Sequence, residues 1–446
     1  MPVEIPKGPR EQEGSVGLRS ALLEEFINTW KFRKWELKDM RHHVVEFSGH
    51  QLASRQIQDK LGSSNSEEKS RFFEELLPNA TQLMADVFGN YVIQKLFEHC
   101  DQNQKKLLAM EMKTHVVSLS VQMYGCRVVQ KALEHILVDQ QAELIKELDG
   151  HVLRCVKDQN GNHVVQKAIE RIPSEHIQFI ADAFTGQVGQ LAKHSYGCRV
   201  IQRMLERCDD RTKRTLLNEL HGEGDRLIAD QYGNYVTQHA IEHGSPEDRT
   251  KIITHVKTRI LMFSRHKFAS NVVEKCLVHG TSAQRHEMML RILEQCPRNP
   301  GVASNEALFQ LLKDAYGNYV VQKLLDTVDD EDYELFAAQC IPEMPRVKEF
   351  AQGKQVQALD EKLHQRALYR AMPTLTPSGS GTPPLEDDTQ SPDGVSNPSP
   401  REDMHIALSM RPELNGKASA GIQAQFSVPD IGVEPFPEPD SDPDSS

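Results

Sequence analysis

Most features that announce an enzyme, a secreted scaffold or a membrane protein are missing from this chain of 446 residues. Its eight cysteines never pair as Cys-x-x-Cys, which argues against a zinc site or a disulfide framework and leaves them as reduced thiols. No continuous apolar run reaches a membrane-spanning length, so no membrane insertion is expected. Met1 is followed by Pro, Glu and Lys instead of a charged head and an apolar stretch, so no signal peptide is expected and a cytoplasmic location is the default. There are 19 histidines but no His-Glu-x-x-His, no Gly-rich phosphate loop and no Gly-x-Ser-x-Gly, so neither catalysis, a metal nor a cofactor is expected. Basic surplus is lacking too, with a net charge of -12. That charge is uneven: 371–446 holds 13 acidic and 3 basic residues, leaving 49 basic against 51 acidic in the rest. A nearly neutral body attracts phosphates weakly, so any nucleic acid must be held by stacking and base contacts on one face.

What the chain has in abundance is repetition. The phrase Tyr-Gly-Asn-Tyr-Val-x-Gln and its variants recur at Ser54, Asn90, Cys126, Asn162, Cys198, Asn234 and Ser270, each 36 residues after the last, and at Asn318 after 48. Eight units of this length with helical periodicity predict an all-α solenoid. Before each motif lies a short apolar helix, in register at His43–Phe47, His115–Leu119 and His151–Cys155, where the recurring histidines serve repeat packing. The motif opens a second helix, with Val92, Ile93, Leu96 and Phe97 as its core stripe and Asn90 and Gln94 on the opposite face. A third helix follows, as at Gln104–Met110, and the second helices are expected to line the concave surface. Residues 1–17 are rich in Pro, Gly and charge, and 371–446 hold 13 of the 23 prolines, so both ends are expected to be disordered around a folded body at 18–370. The stretch Cys296–Gly301 within 292–306 reads as an extended loop.

Three motif positions vary together. The sets are Ser54/Arg55/Gln58, Asn90/Tyr91/Gln94, Cys126/Arg127/Gln130, Asn162/His163/Gln166, Cys198/Arg199/Gln202, Asn234/Tyr235/Gln238, Ser270/Asn271/Glu274 and Asn318/Tyr319/Gln322. Helix capping explains a single Asn or Ser, but not Cys, nor why Tyr or His accompanies Asn while Arg accompanies Cys. Base edges explain the sets. Uracil has two carbonyls and one N–H for two amides; adenine pairs an acceptor with an amino donor that one Gln satisfies; guanine offers two N–H groups suited to the carboxylate of Glu274. The flat second-position groups suit stacking between bases, worth roughly 1–3 kcal/mol per base. Lys95, Lys131, Lys167, Arg203, Lys275 and Lys323 follow the third position, either toward phosphates or toward solvent. A peptide-binding solenoid of the armadillo or HEAT type is the competing class, but it gives no reason for the alternation.

These motifs resemble the Pumilio (PUF) family of RNA-binding proteins over about residues 21–370. Trp35–Asp39 and Gly353–Gln355 are similar to its capping half-repeats. The resemblance implies a crescent-shaped, right-handed, armadillo-like solenoid of eight three-helix repeats, binding single-stranded RNA as a monomer, antiparallel and one base per repeat. Its code implies uracil for repeats two, four, six and eight, adenine for one, three and five, guanine for seven, and the target 5′-UGUAUAUA-3′. It further implies messenger RNA 3′ untranslated regions as ligands and deadenylase or corepressor proteins as partners in repression or decay. A related class of ribosome-assembly factors has degenerate triplets, unlike these. In repeat one, Ala53 in place of Gly is expected to restrict the turn and Gln56 to loosen packing. His163 is a narrower platform than Tyr and predicts a looser reading of the fifth base.

Overall fold

The computed structural model describes residues 19–296, 305–350 and 353–371, with side chains placed as far as His364. The ends expected to be disordered, 1–17 and the tail from 372, and the stretch 297–304, where an extended loop is expected, lie outside the described residues. Among the described residues every regular element is a helix.

Each repeat contributes a short first helix, a motif helix and a third helix, as in Val116–Ser120, Gly125–His135 and Val138–Ile145. The motif helices, numbered by repeat, are α1 (Gln51–Ser63), α2 (Gly89–His99), α3 (Gly125–His135), α4 (Gly161–Arg171), α5 (Gly197–Arg207), α6 (Gly233–His243), α7 (Ala269–His279) and α8 (Gly317–Thr327). Each packs along the next, and the C-terminal helix Lys354–Ala371 packs on α8. The apolar stripe expected on α2 is fully buried at Val92, Ile93, Leu96 and Phe97, and the equivalent stripe recurs down the stack. At the N-terminal end Phe26, Trp35 and Phe47 form the cap's core, with ring centroids of Phe26 5.2 Å from Trp35 and 5.4 Å from Phe47.

The glycine that opens most motif helices is a close-approach position. A Cβ at Gly197 or Gly317 would lie 2.6 Å from the carbonyl oxygen of Leu191 or Leu311. No left-handed backbone is involved, and Ala53 and Ala269 take the same place, buried within ordinary helix. This corrects the expectation for Ala53: repeat one opens its helix earlier, at Gln51, and accommodates the methyl group. Gln56 is half-buried, and one turn on Lys60 places its ammonium 2.9 Å from Glu36 of the cap. A terminal repeat has no full repeat before it, so its outer side tolerates polar groups.

The cations after the third triplet position form a ladder across repeats. Lys131 lies 3.0 Å from Glu98 and 3.2 Å from Glu134; Lys167 lies 3.0 Å from Glu134 and 3.1 Å from Glu170. Arg203 continues it between Glu170 and Glu206, and Lys275 pairs with Glu242 at 2.8 Å. Burial pushes the Glu98 and Glu134 carboxyls up, but the flanking lysines outweigh it and hold both below the usual range. Networked, half-buried pairs of this kind stitch neighbours together more effectively than isolated surface pairs.

Candidate nucleic-acid interface

Because the motif helices lie side by side, the three variable positions of every repeat fall in register on one face. Their exposures sort by position. The first residue is buried in all eight repeats, from 1% at Asn90, Cys126, Cys198 and Asn234, through 2% at Ser54 and Asn162 and 3% at Ser270, to 6% at Asn318. The second is exposed in all eight: Arg55, Tyr91, Arg127, His163, Arg199, Tyr235, Asn271 and Tyr319. The third is half-buried at Gln58, Gln94, Gln130, Gln166, Gln202, Gln238 and Glu274, and buried at Gln322.

In the four Asn repeats the first residue is committed to internal bonds. Asn90 Nδ2 donates to the main-chain carbonyls of Asp86 and Val87 at 2.8 and 3.1 Å, and its Oδ1 accepts from Gln94 Nε2 at 2.9 Å. The same relay joins Gln166 to Asn162 and Gln238 to Asn234 at 2.9 Å, and Gln322 to Asn318 at 3.1 Å. Each Gln is left with its carbonyl oxygen and one N–H to offer. The Cys repeats lack the relay: Gln130 Nε2 donates to the Cys126 carbonyl at 2.9 Å, while Gln202 Nε2 is buried with no partner. In repeat seven the third position is a carboxyl. Burial pushes Glu274 up, and the charge of Lys323 opposes that rise.

The second-position groups form a discontinuous row of flat surfaces, in which the Arg199 guanidinium lies 5.3 Å from the Tyr235 ring centre. The lysines and arginine of the ladder do not face phosphates freely, since Lys131, Lys167 and Arg203 are each shared by two carboxylates. One group escaped the sequence reading. The capping role considered for Asn belongs instead to the residue four positions earlier: Asp86 Oδ1 accepts from the N–H groups of Phe88 and Gly89 at 2.9 and 2.7 Å. An Asp at the same offset before every Asn was the available signal.

Eight segments, 43–77, 79–113, 115–148, 151–184, 187–221, 226–257, 259–293 and 308–336, match the Pumilio-family RNA binding repeat and together cover more than half of the chain. The chain belongs to the Pumilio family. It is thus an RNA-binding protein. Among curated Pumilio-family relatives it is 48% identical over 95 residues to Pumilio homolog 1 of Xenopus laevis, a match covering 21% of this chain and 8% of that protein. It is 43% identical over 103 residues to the mRNA-binding protein puf3 of Schizosaccharomyces pombe, covering 23% of this chain and 14% of that one. Two solved structures cover more. PUF-8 in complex with PBE-RNA superposes with a TM-score of 0.72 at 38% identity, over 77% of this chain and all of that one. The Puf3 RNA binding domain bound to a Cox17 RNA 3′ UTR recognition sequence gives 0.68 at 39% identity, with the same coverage of 77% and 100%. Among the described residues of this Pumilio chain no helix is long and apolar enough to cross a membrane.

Proposed function

We propose that this protein binds single-stranded RNA of the form 5′-UGUAUAUA-3′ in messenger RNA 3′ untranslated regions, antiparallel to the chain and one base per repeat. The observation that carries the reading is the alternation of amide states on the face. In repeats two, four, six and eight, Gln is anchored on Asn and offers an acceptor for N3–H of uracil and a donor for its carbonyl. In repeats three and five a small buried Cys leaves more room, and Gln130 or Gln202 faces the wider adenine. In repeat one Ser54, Arg55 and Gln58 serve the last adenine; in repeat seven Glu274 accepts both N–H groups of guanine, with Ser270 and Asn271 beside it. The exposed second residues stack on the bases, and a base entering between Arg199 and Tyr235 parts that pair. Such a protein acts in the cytoplasm by recruiting deadenylase or corepressor proteins, leading to repression or decay of the bound message.

Equilibrium binding of the full chain to the octamer and its single-base variants tests this. Substitution within UGU is expected to weaken binding about tenfold or more, as for lost bidentate pairing; equal affinity for every variant would refute the assignment. Acidity should act on one base. Guanine needs the ionised form of Glu274, whose carboxyl burial raises above the ordinary value. Preference for G at the second base is therefore present above that raised value and declines as pH falls through it, while U preference elsewhere stays level. Titrating the G-to-U affinity ratio at the second base checks this, and a ratio flat through the carboxylate range contradicts it.

A further inference from the structure

The residue four positions before each triplet alternates as strictly as the triplet itself. Asp86, Asp158, Asp230 and Asp314 precede the Asn repeats; His50, Gln122, His194 and His266 precede the Ser and Cys repeats. In every Asn repeat the carboxylate accepts the two N–H groups at the mouth of the motif helix at 2.7–2.9 Å. The imidazoles of His194 and His266 reach theirs only at 3.2–3.3 Å, and Gln122 Oε1 is buried with no partner. The turn that the carboxylate ties down is the turn whose carbonyls hold the Asn amide. Asn90, Asn162, Asn234 and Asn318 donate to the main-chain oxygens of Asp86, Asp158, Asp230 and Asp314 at 2.7–2.8 Å.

We propose that these four aspartates are positioning residues for base choice, a fourth variable position that fixes the amide orientation through which uracil is read. The inference rests on the base-reading role proposed above. With Asn Nδ2 bound to the tied turn, Asn Oδ1 can only accept, so Gln Nε2 turns toward it and Gln Oε1 is left for the N3–H of the base. A charged acceptor holds a turn more firmly than a neutral one. Adenine makes no such demand, because its amino donor stands between two ring acceptors, N1 and N7, and either orientation of a Gln amide finds a match. Repeats facing adenine therefore work with a His or an unbonded Gln at the turn.

The test uses the full chain and octamers carrying U, C or A at the third base, which faces repeat six. Asp230→Ala is expected to lower the U-over-C and U-over-A ratios at that base about fivefold, the scale of a lost side-chain cap, with ratios at other bases unchanged. Asp230→Asn, which keeps an acceptor oxygen in place without the charge, restores part of the ratio, and His194→Ala leaves the preference for A at the fourth base as it was. Should Asp230→Ala fail to fold, Asp86→Ala read at the seventh base, which faces the like set Asn90, Tyr91 and Gln94, makes the same measurement. An equal loss of affinity for all three bases, accompanied by a lower Tm, overturns the inference and leaves the aspartate a structural cap. A wild-type chain indifferent to the third base overturns the reading of the face, and this inference with it.

Discussion

Replacing Ser270 by Asn together with Glu274 by Gln is expected to change the preferred second base from G to U, with each preference about ten- to a hundredfold, the scale of one bidentate contact. Both positions already have the geometry for it. Ser270 is buried at the opening of α7 and Glu274 lies one turn on, half-buried, matching Asn234 and Gln238 in α6. In α6 that pair is joined at 2.9 Å, so the introduced amides have a formed example one repeat away. Removing Glu274 also removes a carboxyl that burial disfavours in its charged form. Adding His266→Asp ties the turn as in the natural Asn repeats and should sharpen the U preference further. Binding to octamers with each base at the second position is the measurement, and unchanged preference for G would show that these side chains do not choose the base.

The parts of this molecule that were readable from the sequence are local and repeated. The 36-residue spacing, the stripe at Val92, Ile93, Leu96 and Phe97, and the exposed second positions all follow from the geometry of a single helix, and eight copies average out the accidents of any one. What was not readable lies between elements. Whether Lys131 and Lys167 turn to solvent or phosphate depends not only on Glu134 and Glu170, three residues on in the same repeat, but also on carboxylates 33 residues away, Glu98 and Glu134, which the repeat before supplies. The burial of Asn90 beneath Gln94 was hidden for a related reason: helical spacing places both on one face but does not say which covers the other. Asp86 went unnoticed because the capping role was sought at Asn90, although the alternation of Asp with His and Gln is present in the sequence. Ala53 looked restrictive because glycine was read as a turn residue, whereas the constraint is a carbonyl approaching the helix opening.

Phe97→Ala should have the largest effect on stability, about 3–5 kcal/mol, as for truncation of a large aromatic side chain in a core. Phe97 is fully buried in α2, and the equivalent place holds Leu133, Ile169, Leu205, Ile241, Leu277 and Leu325 in the repeats that follow. Phe97→Leu therefore substitutes a side chain that the same site accepts elsewhere and should cost less than about 1.5 kcal/mol. The functional consequence follows from the linear arrangement. Each motif helix packs chiefly on its neighbours, so a loss of this size in repeat two opens the N-terminal cap and the first two repeats before it reaches the remainder. On the proposed reading those two repeats face the last two bases, U and A, through Asn90, Tyr91 and Gln94 and through Ser54, Arg55 and Gln58. The alanine variant should consequently bind 5′-UGUAUA-3′ and the full octamer with equal affinity, while the wild type and Phe97→Leu favour the octamer. Hydrogen exchange should show protection lost in α1 and α2 but kept from α3 onward. A variant that unfolds in a single transition, with protection lost evenly from α1 to α8, would instead mean that the ion-pair ladder couples the repeats strongly enough to override the linear order.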